Sequence, residues 1–103
     1  MTPFTRQVIE IIKAIPEGHV MTYGQIAELA GSRRAARQVV RILHSSSKKY
    51  NLPWYRVVNA KGEIGLQGDE ARFLQIMHLQ NEGVAVDDEG KMDLTRWQYH
   101  PEE

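Results

Sequence analysis

The chain contains no cysteine, which removes disulfides, thiolate metal sites and any thiol nucleophile at once. It also lacks a long apolar run. The stretch Val8 to Ile15 is interrupted by Glu10 and Lys13, so it reads as neither the core of a signal peptide nor a membrane span; a cytoplasmic location is expected. No Ser, His and Asp trio is suggested, since the serines sit in a linker or at a cap. His19, His44, His78 and His100 are scattered without metal-ligand spacing, and the Asp87-Asp88 pair falls in a turn. Neither a catalytic set nor a metal or cofactor is expected.

A further absence is local. Between Glu28 and Glu63 there is no acidic residue, while Arg33, Arg34, Arg37, Arg41, Lys48, Lys49, Arg56 and Lys61 supply eight positive charges. From Glu63 onward ten acidic residues stand against Arg72, Lys91 and Arg96, so the formal net charge is zero. Such a basic segment has the form of a polyanion footprint; a merely solvated run of charge is the alternative that composition alone leaves open. The length of 103 residues, with 42% apolar and 25% charged side chains, fits a single domain over residues 1–103, with no repeats and no second core.

Phe4, Val8, Ile11, Ile12 and Ile15 recur at helical spacing, which predicts an amphipathic helix over about Thr5 to Ile15, ended by Pro16-Glu17-Gly18. Thr22 followed by Gln25 has the form of a capping box opening a short second helix, with Ile26, Ala27, Leu29 and Ala30 inward and a stop at Gly31. Ser32 is placed to cap a third helix from Arg33 to about His44, burying Ala36, Val39, Val40 and Leu43 and turning Arg33, Arg37 and Arg41 outward. After the polar linker Ser45 to Lys49, the segment Leu52 to Val58 has strand character. Asn59-Ala60-Lys61-Gly62 then turns it toward a hairpin partner over Glu63 to Leu66. A fourth helix from about Glu70 to Glu82 is expected to face Phe73, Ile76, Met77 and Leu79 inward and to stop at Gly83. The fold class is therefore mostly α with a small β-hairpin, a winged helix-turn-helix-like domain.

Two helices joined by a glycine turn, the second carrying outward arginines, match the form of a DNA-reading helix-turn-helix. The small Ala35-Ala36 pair beside Arg37 suits close approach to a minor groove with an arginine reaching between bases, as base-flipping proteins do. A phosphate contact or a surface ion pair is the plainer role for Arg37. Pro53-Trp54-Tyr55-Arg56-Val57 offers an aromatic wall against which a flipped base could rest; the plainer reading is that Trp54 and Tyr55 fill the core.

Thr22-Tyr23-Gly24-Gln25-Ile26-Ala27, Ala35-Ala36-Arg37 and Pro53-Trp54-Tyr55-Arg56-Val57 stand in the order and spacing of the O6-alkylguanine-DNA alkyltransferases. Phe4-Thr5-Arg6-Gln7-Val8 resembles the start of that family's C-terminal domain, and Asn59 to Gly65 the hairpin after its active site; the resemblance covers nearly the whole chain. That family's reactive motif reads Pro-Cys-His-Arg-Val. Here Trp54 stands at the cysteine and Tyr55 at the histidine, so acceptor and proton relay are both replaced. The chain thereby resembles the alkyltransferase-like proteins, which bind alkylated DNA and channel it to nucleotide excision repair without alkyl transfer.

The resemblance implies a non-enzymatic monomer whose partners are double-stranded DNA carrying O6-alkylguanine and the damage-recognition proteins of excision repair, with no membrane partner. It places Thr5, Thr22, Tyr23, Gln25, Ser32, Arg33, Arg34, Ala36, Arg37 and Arg41 on the DNA. Tyr23, Pro53, Trp54, Tyr55, Val57 and Gln67 would form the lesion pocket, with Arg56 bracing it from within. Tyr23 would rotate the 3′ phosphate and Arg37 would fill the vacated stack, while Lys48 and Lys49 join the arginines in sequence-independent affinity. Ser46 departs from a hinge asparagine of the alkyltransferases, and Gln67 from an arginine or tyrosine that some relatives present to the lesion. The tail with Trp97 and Tyr99 would close over the core or pocket. Two other functions remain: a regulatory helix-turn-helix module with equal affinity for damaged and undamaged DNA, and a glycosylase, which would need a carboxylate or lysine aimed into the pocket.

Overall fold

A computed structural model describes residues 1–65 and 68–102. Helix α1 spans Pro3–Lys13, two residues earlier at each end than its apolar spacing suggests, because Thr2 rather than a later residue caps it: the Thr2 hydroxyl accepts from the Thr5 amide at 3.1 Å. Strand β1 (Met21–Thr22) runs directly into helix α2 (Tyr23–Leu29), and helix α3 follows at Ala36–Ser46. A 3-10 turn at Trp54–Arg56 leads into β2 (Val57–Val58); helix α4 covers Asp69–Asn81, and a short helix α5 covers Leu94–Trp97. No helix among the described residues is long and apolar enough to cross a membrane.

The capping box at Thr22 forms as its spacing predicts. The Thr22 hydroxyl accepts from the Gln25 amide, and the Gln25 side-chain oxygen accepts from the Thr22 amide. The turn after α2 rests on Gly31, whose φ of 101° is a conformation open chiefly to glycine. The third helix, however, begins at Ala36 and not at Arg33. Ser32 donates its amide to Ala27 and accepts from Ala35 through its carbonyl, so residues 32–35 close a separate turn and Ser32 caps nothing; the N-cap is Ala35, without a side-chain bond. Arg33 and Arg34 therefore lie on the turn, leaving Arg37 and Arg41 as the helical pair. All four are exposed.

The strand pair corrects the expected hairpin. β2 pairs with β1 in parallel, Met21 opposite Val57 and Thr22 opposite Val58. Of the proposed return strand, Leu66 lies outside the described residues, and Glu63 makes only an isolated antiparallel bridge to Lys91. The Asn59 side chain organises the intervening turn by accepting from the amides of Lys61 and Glu63. Because successive strand residues face opposite sides, this small sheet divides the buried apolar residues into two clusters, a division the sequence pattern did not reveal. Met21 and Val57 belong with Val8, Ile12, Ile26, Val39 and Leu43 from the first three helices; Val20 and Val58 belong with Ile64, Leu79, Val84 and Met92. A parallel pair covered on both faces is apolar throughout, and here only Thr22 interrupts it.

Helix α4 departs most from expectation. Phe73 is 64% exposed and Met77 also faces solvent, whereas Gln75, at 2% exposed, is buried with Leu79. The side-chain amide of Gln75 donates to the carbonyls of Tyr55 at 3.1 Å and Val57 at 3.0 Å. The helix is therefore anchored by a polar side chain that satisfies the backbone around the 3-10 turn; of the four residues expected inward, Leu79 is buried and Ile76 packs on the second cluster, whereas Phe73 and Met77 face solvent. Gly83, with φ 92°, ends it as anticipated. Replacing Gln75 with Leu removes both bonds while keeping side-chain bulk. It is expected to lower stability by about 1–3 kcal/mol, read as a fall in the urea midpoint at unchanged m-value.

Candidate nucleic-acid interface and base cavity

The 3-10 turn, the C-terminal half of α3, the start of α2 and one stripe of α4 border an open cavity of about 810 Å³, within the size range of small-molecule sites. Tyr23, Pro53, Trp54 and Tyr55 line it, as do Val40, Leu43 and Leu52. Helix α4 contributes Ala71, Leu74, Gln75 and His78, residues spaced to share one face. Four of the expected pocket residues are thus brought together. Val57 is not among them: only 1% exposed, it points into the cluster under α1 and α2. Gln67 lies outside the described residues.

The aromatic wall has defined geometry. Trp54 meets Tyr55 edge to face at 5.7 Å between centroids, and Tyr55 stacks on His78 at 4.4 Å with 11° between planes. His78 in turn meets Trp54 edge-on at 6.0 Å. Trp54 also packs on the first apolar cluster and Tyr55 on the second, so each ring is both core and cavity wall, and the two readings of these aromatics are compatible. His78 was not singled out by its sequence spacing. Its usable signal is the i, i+3, i+7 spacing of Ala71, Leu74 and His78, which marks a shared face but not a stacked ring.

Arg56 braces the turn. Its guanidinium donates to both Glu82 carboxylate oxygens, with Nη2 at 2.5 Å from Oε2, and to the Ile15 carbonyl at 2.9 Å; the side chains are only 14% and 9% exposed. Glu82 also accepts from the Gly18 amide at 3.0 Å. Burial alone would raise the Glu82 pKa, but the Arg56 bonds and charge, together with the Gly18 amide, outweigh it and hold the carboxyl below its ordinary range. The Tyr55 phenol is raised, first by burial, with the neighbouring Arg56 charge opposing and Glu82 adding; burial also raises Tyr23. Both phenols therefore stay protonated at neutral pH and present hydroxyl groups, not phenolate nucleophiles.

The remaining expected contacts divide by position. Thr22 is buried and Gln25 half-buried, and their side chains serve the capping box. The Gln25 amide also donates to the Tyr99 carbonyl at 2.6 Å, and Gln98 donates to the Gln25 oxygen at 2.8 Å. The tail thus closes on the start of α2, where the Tyr99 amide donates to the Val20 carbonyl and the Val20 amide to the Trp97 carbonyl, and it does not line the cavity. Thr5 lies in the first turn of α1, where its hydroxyl accepts from Thr2. Arg37 and Arg41 project from α3, the helix that supplies one cavity wall, while Lys48, beyond its end, lines the cavity itself. Ser46 is half-buried at the end of α3, its hydroxyl beside that of Ser45.

Residues 3–84 match the model of the 6-O-methylguanine DNA methyltransferase DNA-binding domain, and the chain belongs to this family, among its alkyltransferase-like members. It is 46% identical to the DNA base-flipping protein of Escherichia coli over 94% of this chain and 74% of that one. It is 32% identical to Alkyltransferase-like protein 1 of Schizosaccharomyces pombe over 98% of each. The crystal structure of S. pombe Atl1 in complex with damaged DNA containing O6-carboxymethylguanine aligns with TM-score 0.88 at 31% identity, covering 98% of both chains. The fold is accordingly that of this family, with the small sheet in parallel pairing.

The sign of the Glu82 shift fixes a pH dependence. A carboxyl whose folded pKa is depressed contributes stability that is complete above the unfolded value, near 4.3 for glutamate, and is lost as pH falls through the folded value. Glu82→Gln is expected to cost roughly 3 kcal/mol at neutral pH, because it leaves Arg56 largely buried without its anion. The stability gap between wild type and variant should narrow as pH drops below about 4.3, measured as urea midpoints from neutral pH down through that range.

Proposed function

We propose that the chain binds duplex DNA containing O6-alkylguanine and turns the damaged nucleotide into the cavity beside Trp54 and Tyr55. The lesion is held there without alkyl transfer and flagged for nucleotide excision repair. The observation that carries this reading is the aromatic cavity opening between α2, α3 and α4, next to the helix that bears Arg37 and Arg41. Flipping costs a few kcal/mol of unstacking and unpairing, less where the base already pairs poorly. A cavity that supplies apolar and aromatic contact to the extruded base therefore favours the lesion over ordinary guanine. Arg37 fills the space left in the stack, and Tyr23, on both α2 and the cavity rim, guides the rotating phosphate.

Transfer of the alkyl group needs a polarisable nucleophile of lowered pKa. The chain has no thiol, and the groups at the aromatic wall are an indole and a protonated phenol, so the lesion leaves the cavity chemically unchanged. Excision-repair recognition proteins are the partners that this outcome calls for. Phosphate contacts come from the exposed Arg33, Arg34 and Arg41 and from the first amides of α3, which no side chain caps.

Fluorescence anisotropy on one duplex with and without a single O6-methylguanine, at several salt concentrations, tests the reading. Tighter binding to the damaged duplex is expected, with the preference reduced in Trp54→Ala and in Arg37→Ala more than the affinity for undamaged DNA is reduced. Arg41→Ala should weaken both duplexes alike and reduce the salt slope by about one. Equal affinity for the two duplexes in the wild type would instead mark a helix-turn-helix module without lesion preference.

Gly24 provides an independent check. A Cβ at this position would meet nothing within 4 Å, and its φ is not positive, so neither packing nor backbone geometry inside the protein requires glycine. Glycine in a helix costs about 0.5–1 kcal/mol relative to alanine, and close approach of a DNA backbone beside Tyr23 accounts for its presence. Gly24→Ala is expected to weaken DNA binding without lowering the thermal midpoint.

A further inference from the structure

Building on the lesion-binding reading, we propose that the cavity selects O6 substituents ending in a carboxylate over neutral ones of the same shape, with Lys48 and His78 as the discriminating residues. No aspartate or glutamate is among the described residues that line the cavity. Two of its polar groups are already engaged: the Gln75 amide donates to the Tyr55 and Val57 carbonyls, and the Ser47 hydroxyl donates to the Leu43 carbonyl. The polar groups left to meet a ligand include Lys48, His44, His78, Asn51 and the hydroxyls of Tyr23 and Tyr55; among the described lining residues Lys48 is the one lysine or arginine, and of the two histidines His78 is the one held by ring stacking. The wall therefore offers a surplus of donors, which an apolar alkyl group leaves unfilled and a carboxylate fills.

Position decides which residue matters most. His44 lies in the last turn of α3, and Lys48 follows two residues after its end at Ser46. A helix C-terminus carries the equivalent of about half a negative charge, so an anion placed here without compensation is repelled. The full positive charge of Lys48 outweighs that half charge and reverses the sign. Among the described residues Lys48 has no carboxylate within ion-pair distance, and Glu82, which belongs to the helix facing it, is held by Arg56. The charge of Lys48 is thus available to a ligand.

His78 acts differently. Its ring is clamped by stacking on Tyr55 and by the edge of Trp54, so it presents an imidazole nitrogen with little orientational freedom left to lose. A carboxylate that reaches past the base toward α4 meets an imidazole of restricted orientation there, whereas toward the end of α3 it meets Lys48. Neutral adducts gain contact with the same rings but nothing from the charge.

The test compares two duplexes identical except for the lesion, one with O6-carboxymethylguanine and one with its neutral isostere O6-carbamoylmethylguanine, against the undamaged duplex at a single salt concentration. Phosphate contacts cancel in the ratio of the two Kd values. The wild type is expected to favour the carboxylate by about fivefold or more. Lys48→Gln should bring the ratio to one or below, Lys48→Arg should keep it, and His78→Phe, which retains an aromatic ring but no donor, should reduce it. Equal affinity for the two adducts, both tighter than undamaged DNA, would overturn this selectivity and leave lesion binding standing. A ratio that survives in both Lys48→Gln and His78→Phe would overturn the assignment of these residues. If neither adduct binds more tightly than undamaged DNA, lesion binding and the selectivity built on it both fail.

Discussion

The Arg56–Glu82 pair is the contact on which the cavity wall depends. One guanidinium reaches the carboxylate at the end of α4 and the carbonyl of Ile15, while the same carboxylate accepts from the Gly18 amide. Three segments far apart in sequence, the loop after α1, the 3-10 turn and the end of α4, are thereby fixed to each other through one polar node. Exchanging such a pair for apolar residues can be neutral, but removing one partner strands a buried charge. The node therefore contributes more to geometry than to net stability. It sets where Trp54 and Tyr55 stand, since they occupy the same 3-10 turn as Arg56, and Gln75 reinforces that turn from α4 by bonding its backbone.

The parallel strand pair has a related role. By placing Met21 and Val57 on one side and Val20 and Val58 on the other, it joins the three-helix portion that carries the arginines to the portion built around α4. Tyr23 begins α2 immediately after β1, and the aromatic turn immediately precedes β2. The register of a two-residue ladder thus brings the α2 entrance beside the aromatic wall. The tail adds a clamp at the same place, because Gln98 and the Tyr99 carbonyl both bond Gln25 in the first turn of α2. The arginine-bearing helix and the aromatic cavity are held in fixed relation with little regular sheet.

Much of this was legible in the sequence, and the parts that were not fail for identifiable reasons. The capping box at Thr22 and Gln25, the turn at Gly31 and the stop at Gly83 are local, governed by side chains within four residues of the bond they make. The start of α3 was misread because Ser32 is a good cap by composition, yet the backbone used it to close a preceding turn. The hairpin was misread because Asn59 to Gly62 does turn, while the partner of β2 is a strand some 36 positions earlier, from Val57 back to Met21, and parallel pairing leaves no local mark. Of the cavity-lining residues, Trp54 and Tyr55 stood out in sequence as a possible aromatic wall, with core filling the plainer reading, whereas Tyr23 came only from the family resemblance. Val57 was misplaced because strand alternation was not phased, and His78 was missed because the inward face of α4 is fixed by the buried Gln75, which an apolar count discards.

The indole that stands where the family resemblance implies a thiol also shapes the cavity wall itself. A cysteine and histidine at this turn would need solvent or a base to move a proton. Trp54 and Tyr55 instead interlock with His78 as an edge-to-face and stacked set, with Arg56 lying over the Tyr55 ring at 5.4 Å. The Glu82 carboxylate is committed to Arg56 and held below its ordinary pKa, so it stays charged and a poor base. On the proposed reading, the bound state persists unchanged because no covalent step ends it. Such persistence is what a marker for another repair machinery requires: occupancy must be governed by binding and release, not terminated by a covalent step.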